Sequence, residues 1–220
     1  LADLKITELF LNTILLVVLA SSVLILFAFI SNFGNRVTKS KFLNFLTTFS
    51  ICGYAIPGVI LAVAYISFVS WFDNNFVSFL EIKSIKSIFI GSIIGLVLVY
   101  FVRFYSLASN GIKSGYLKIN YSIDESSYLL GYSKLKTFLN IHVPYLKNSV
   151  LLIGILIAIE IIKELPITLI LRPFNFETFA TQAYIFASQD LLEAAAAPSL
   201  FLIIIASLFI LTTYRYILKD

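Results

Sequence analysis

Four residues in one apolar stretch carry chemistry that a membrane segment seldom holds. Glu160, Lys163, Glu164 and Pro166 lie within 148–171, whose other residues carry no charge. An ionisable side chain at mid-bilayer costs about 2.5–3.5 kcal/mol on insertion scales, so such groups pair with one another or face a water-lined path. Helical spacing of three and four puts positions 160, 163, 164 and 167 on one face. Lys163 can therefore pair with Glu160 one turn earlier or with a group on another helix. Pro166 has no N–H for the carbonyl of Ile162, which predicts a kink. Two readings stay open: a structural ion pair at a kinked helix, or a gate on a translocation path. Glu160, Lys163 and Glu164 read as a proton or ion relay describe a secondary transporter or channel. Glu164 and Lys163 alone describe an intramembrane enzyme.

Other chemistry is sparse. His142 is the single histidine and Cys52 the single cysteine, which excludes an H-E-x-x-H zinc site and an intrachain disulfide. No Gly-x-x-x-x-Gly-Lys occurs, so the chain carries no phosphate-cradling loop of that kind. Glu160, Glu164, Glu177 and Tyr184 could offer oxygen ligands to a hard cation. Lys163 beside them is a poor neighbour for one, and no metal site is assigned.

The elements that hold these residues are membrane spans. Of the 220 residues 60% are hydrophobic and only 13% charged, with a mean hydropathy of +0.97. Soluble domains run near 45–50% apolar and about 25% charged. Long uncharged runs place spans at 9–30, 42–72, 87 to about 107, 148–171 and 194–214. The second run is too long for one straight crossing, and Gly53 and Pro57 mark its break. Gly91 and Gly95 read as a helix-packing pair, Tyr65 and Trp71 as interfacial anchors, and Arg103 as a snorkelling side chain at a span end. The formal charge of +4 is too small and scattered for a nucleic-acid binder; its placement sets topology instead. Loop 31–41, connection 108–147 and the C-terminus hold ten basic residues, against Lys5, Lys83, Lys86 and Arg172 on the other side. The positive-inside rule makes the first set cytoplasmic and the N-terminus external. An external start and the lack of any methionine both suggest a preceding span in a longer chain.

Connection 108–147 reads as folded. Ser122 and Glu125 fit a capping box, opening a helix that carries Tyr128, Leu129 and Leu130 and stops at Gly131. A second amphipathic piece, 134–141, presents Leu135, Phe138 and Leu139 and ends before Pro144. The pair forms a compact knob, either capping the bundle or docking a partner.

Here the residues carry a resemblance. Glu125-Ser126-Ser127, three residues, Gly131, nine residues and Ile141-x-Val143-Pro144 resembles the EAA loop of ABC importer permeases, with Ser for both alanines and Val for Leu. The fold this implies is an all-α integral membrane bundle of about five spans with a cytoplasmic pair of short helices, covering 1–220 as one permease domain with its loop at about 121–144. Lys163-Glu164-Leu165-Pro166 through Pro173, Tyr54-Ala55-Ile56-Pro57-Gly58 and Val102-Arg103-Phe104 are similar to motifs of ferric-iron permeases, most like their C-terminal half. The resemblance implies a bacterial inner-membrane subunit with no cofactor of its own. Its partners would be a cytoplasmic ATPase dimer carrying ATP and Mg, a periplasmic substrate-binding protein, a second permease half and the lipid membrane. Glu125, Ser126, Ser127, Gly131, Ile141 and Pro144 would form the ATPase-coupling loop. Glu160, Lys163, Glu164 and Pro166 would line the path or gate. Permeases for thiamine, phosphonates, polyamines and sulfate share the loop and remain alternatives for the cargo.

Overall fold

A computed structural model describes residues 6–38, 40–77 and 86–217; Lys5, Lys39, Lys83 and Lys219, counted above for the charge placement, lie outside them. The described residues form helices and turns with no strand. In chain order they are α1 (Ile6–Thr38), α2 (Lys41–Phe49), α3 (Ile51–Ala55), α4 (Gly58–Phe72), α5 (Lys86–Phe89), α6 (Ile93–Tyr116), α7 (Tyr121–Leu129), α8 (Lys134–Thr137), α9 (Val143–Ile162), α10 (Pro166–Leu171), α11 (Phe179–Ser188) and α12 (Leu192–Ile217). Two π-helical stretches, Asp73–Val77 and Phe138–His142, extend α4 and join α8 to α9.

Four helices among the described residues are long and apolar enough to cross a membrane: Ile6–Thr38, Ile93–Tyr116, Lys134–Ile162 and Leu192–Thr213. The bent pair Lys41–Ala55 and Gly58–Asn75, which turns through 113°, has the length and apolarity of a fifth span broken in the middle or of a re-entrant loop. The chain is thus a multi-pass membrane protein, as its composition required.

The centre of the bundle is α1, α6 and α9, packed through Leu16, Leu24, Tyr100, Phe104, Ile112, Ile153 and Ile157. Helices α1 and α6 run parallel and α9 runs against them. Asn32 near the end of α1 bonds Ser109 late in α6, while Leu146 early in α9 packs against Gly115. Helix α12 covers α9 and α11, and α10 packs on α4. Outward side chains such as Leu11, Val18, Ile60, Ile203 and Leu211 are exposed, the pattern of a bundle surrounded by lipid or by other membrane chains.

The span boundaries differ from the sequence reading: α1 runs on to Thr38 and α6 to Tyr116, and three further boundaries are set by caps and prolines. The third crossing starts at Ile93, because Gly91 lies in a turn with φ +66° and Ser92 caps the helix by accepting from the N–H of Gly95. Gly91 and Gly95 therefore do not share a helix face. The fourth crossing begins far before residue 148, since the helical path from Lys134 runs through Pro144 to Ile162 without interruption. Pro144 is tolerated because it falls in the first turn of α9, where an N–H is not needed. The second piece of the knob is thus the start of a span. Finally, the kink at Pro166 is a full break: α9 ends at Ile162 and Pro166 opens α10.

Candidate functional site: a pinned surface helix and a buried break

Helix α7 is positioned by residues that the sequence reading assigned no such role. Its cap is Asn120, whose Oδ1 accepts from the N–H of Ser122 at 3.2 Å; the expected capping box at Ser122 is not formed. The chain is held two residues earlier because Arg36, at the end of α1, donates to the carbonyls of Ile119 (2.9 Å) and Asn120 (3.2 Å). The same guanidinium donates through Nε to Asp124 Oδ2 at 2.8 Å and packs over the ring of Tyr121. Asp124 therefore turns inward. Its other oxygen lies 2.6 Å from Nε2 of His142, which is fully buried, while Nδ1 of that ring lies 3.5 Å from the Tyr116 hydroxyl. The carboxylate can only accept, so Nε2–H is the donor and Nδ1 is left to take the phenolic proton. One buried carboxylate thus ties α7 to the end of α1 and the approach to α9.

The remaining anchors are small. Ser127 is buried; it donates to the Asp124 carbonyl and shares a 2.8 Å hydroxyl bond with Thr137. Helix α7 then closes in a Schellman turn. The N–H of Gly131 bonds the Tyr128 carbonyl, and that of Tyr132 bonds the Ser127 carbonyl. Gly131 has φ +80°, which an L side chain occupies only with strain. Leu129 and Leu130 are left 89% and 78% exposed at the tip, with Leu135 and Leu139 exposed beside them. Burial raises the phenol of Tyr128 above its ordinary value, and the Asp124 carboxylate pushes the same way.

The six expected loop residues divide accordingly. Ser126, Ser127 and Ile141 line one shallow groove with Ile123 and Leu130. Glu125 stands exposed on the outer side of α7, Gly131 closes the helix, and Pro144 begins α9.

The charged stretch is likewise divided, and the single face expected for 160, 163, 164 and 167 does not exist because the helix ends between them. Lys163 pairs with Glu160 at 2.6 Å and is 54% exposed. Glu164 is 7% exposed and lies on the other side, where its Oε2 is 3.2 Å from Nε of Arg103. Arg103 stands ten residues into α6 and thirteen before its end, about mid-helix, and does not snorkel. Its NH1 donates at 2.7 Å to the carbonyl of Ile56, at the break between α3 and α4. Glu164 Oε1 accepts from the N–H of Ile167 in the first turn of α10. Gly58 opens α4 so close by that a Cβ there would lie 2.7 Å from the same oxygen. Two helix breaks therefore meet at one ion pair in the bundle centre, each supplying a helix N-terminus that favours the carboxylate. Thr168 donates to the Glu164 carbonyl and meets the Tyr100 hydroxyl, fastening α10 to α6.

The candidate oxygen ligands are not gathered. Glu177 pairs with Arg172 and accepts from Thr181, Tyr184 is exposed, and no cluster of three His, Cys, Asp or Glu able to hold a metal ion occurs among the described residues.

With this geometry in place, comparison with solved structures is informative. The chain superposes on the crystal structure of a bacterial ABC transporter involved in the import of the acidic polysaccharide alginate. The TM-score is 0.75 at 16% identity, over 97% of this chain and 79% of that one. The chain has the fold of an ABC importer permease. A second structure, a bacterial alginate ABC transporter in complex with an alginate pentasaccharide-bound periplasmic protein, matches with a TM-score of 0.76 at 16% identity over 96% of this chain and 77% of that one. No protein-family model and no curated protein matches the chain. At this identity the permease fold is shared, while the cargo of those transporters belongs to them.

Proposed function

We propose that the chain is a membrane subunit of a bacterial ATP-binding-cassette importer, driven by a separate ATPase through the tip of α7. The observation that carries this reading is the pairing of an exposed apolar tip with a buried anchor. Leu129 and Leu130 face outward, while Asp124 fixes the same helix to Arg36 and His142. A partner that moves the tip moves α1 and α9 with it. Helix α9 is twenty residues, about 30 Å, and ends at the break beside Glu164. Displacement at the tip thus reaches the bundle centre, where α3–α4 and α9–α10 can change angle about the Arg103–Glu164 pair. Lys163 and Glu160, on the more exposed side of that break, are placed to line the path or to face a second permease half. In this reading the α7 end is cytoplasmic, the start of α1 external, and a periplasmic binding protein delivers the cargo. ATP and Mg belong to the partner, and hydrolysis takes place there.

The cargo we favour is ferric iron, on the words Lys163-Glu164-Leu165-Pro166, Tyr54-Ala55-Ile56-Pro57-Gly58 and Val102-Arg103-Phe104. The permease would pass the ion without a dedicated ligand cage, recognition being left to the binding protein. The test is uptake by the assembled transporter of labelled ferric iron against labelled alginate oligosaccharide. Iron uptake that depends on ATP supports the proposal. Oligosaccharide uptake without iron uptake would keep the importer and replace the cargo; neither, with no ATPase bound, would remove the reading altogether.

A further inference from the structure

A second site lies beside the α7 anchor, on the side facing away from the tip. A cavity of ≈ 760 Å³ opens between the end of α1, the start of α2 and the end of α6. Its lining includes Arg36, Lys41, Lys113 and Lys118 and no acidic residue. Arg36 is neutralised by Asp124, which leaves three lysines as uncompensated lining charge. Lys113 and Lys118 are exposed side chains, free to reorient toward a ligand. Asn35, Ser40 and Asn44 add polar side chains to the lining. Helix α2, which forms one wall, exposes Phe42, Phe45, Leu46 and Phe49, and the rings of Phe45 and Phe49 stack at 6.0 Å. A cavity lined by basic residues next to an exposed aromatic strip matches a molecule with an anionic head and apolar tails. A free phosphate would occupy only a small part of the cavity and leave the strip uncovered.

We propose that this α1–α2–α6 corner binds the phosphodiester headgroup of an anionic phospholipid, its acyl chains lying along Phe42, Phe45 and Phe49. Lysines near a membrane surface each contribute appreciably to anionic-lipid attraction, and basic pockets between membrane helices hold such headgroups. Because Arg36 lines the cavity and also holds Asp124, the lipid sits against the α7 anchor. The site does not depend on which cargo the transporter carries.

The test is native mass spectrometry of the assembled transporter, released from nanodiscs of phosphatidylglycerol or phosphatidylcholine, with bound lipid counted. The expected result is selective retention of phosphatidylglycerol. Lys113→Gln/Lys118→Gln should weaken it about tenfold or more. Lys134→Gln/Lys147→Gln, the same charge change elsewhere, should not, and millimolar inorganic phosphate should not displace the lipid. Both altered lysines are exposed, and Lys41→Gln provides an independent single change that should act in the same direction. Equal retention in the Lys113/Lys118 variant, equal loss in the Lys134/Lys147 variant, or displacement by inorganic phosphate would each overturn the proposal.

Discussion

At the scale of single residues, two carboxylates that the sequence places next to other acids take opposite positions. Asp124 is buried and accepts hydrogen bonds from both Arg36 and His142 while Glu125 is exposed; Glu164 is buried on Arg103 while Glu160 is partly exposed on Lys163. Removing one member of a buried pair strands the other, at about 3–5 kcal/mol, whereas an exposed pair contributes about 0–1 kcal/mol. Asp124→Ala should therefore lower the thermal unfolding temperature in detergent sharply, and Glu125→Gln should leave it within error. The Arg103–Glu164 pair makes a sharper case. Arg103→Gln and Glu164→Gln should each destabilise, and the double variant should be less damaged than the sum of the two, as a double-mutant cycle of unfolding midpoints would reveal. Strict additivity would mean that the pair is not coupled. Glu160→Gln should change stability little and act, if the path reading holds, on uptake. None of this partition was legible in the sequence. Helical spacing grouped positions 160, 163, 164 and 167, and only the break at 163–165 separates them. Arg103 was misplaced because the third span was read as ending at about 107 whereas α6 runs on to Tyr116, so a mid-helix residue was taken for one at a span end.

At the scale of elements, the positions of Gly131 and Pro57 were readable because turn chemistry is local, and both stand beside helix ends; Gly53, expected at the same break as Pro57, instead lies in the middle of α3, where its missing Cβ lets the Val102 carbonyl of α6 approach. The cap of α7 was not, because Arg36 is 84 residues from Asn120 and a long-range guanidinium outcompetes a local Ser–Glu box. Gly131 carries the Schellman turn that aims the α7 tip. Gly131→Ala should cost about 1–2 kcal/mol through its positive φ, and Gly131→Asp should reduce ATPase association as well. Uptake and co-purification measured on the same preparations would show both. Gly58→Ala should perturb the centre of the bundle instead, since its methyl group would meet Glu164. Its expected signature is lost stability with ATPase binding retained.

At the scale of the whole molecule, the all-helical membrane fold, with its four or five apolar membrane-capable elements among the described residues, follows from hydropathy and uncharged runs, since lipid allows little else than helices that satisfy their own backbone. The parallel pairing of α1 with α6 and the lever formed by α9 depend on tertiary packing that no run of residues declares. The proposed sidedness has a direct check. In a Cys52→Ser background and in vesicles without the ATPase subunit, Leu129→Cys should react with a membrane-impermeant maleimide in inverted vesicles and stay protected in intact right-side-out ones. Reaction in the opposite preparation would reverse the topology.

The central claim is that the exposed tip of α7 is the seat of the ATPase and that the buried anchor behind it only holds it in place. Leu129→Asp tests it most directly, because Leu129 is 89% exposed and its replacement leaves the core untouched. Co-purification of the ATPase with this variant, alongside its unfolding temperature, is the decisive measurement. The account predicts loss of the ATPase with the unfolding temperature unchanged. Full retention of the ATPase, with uptake at the level of the parent protein, would contradict it.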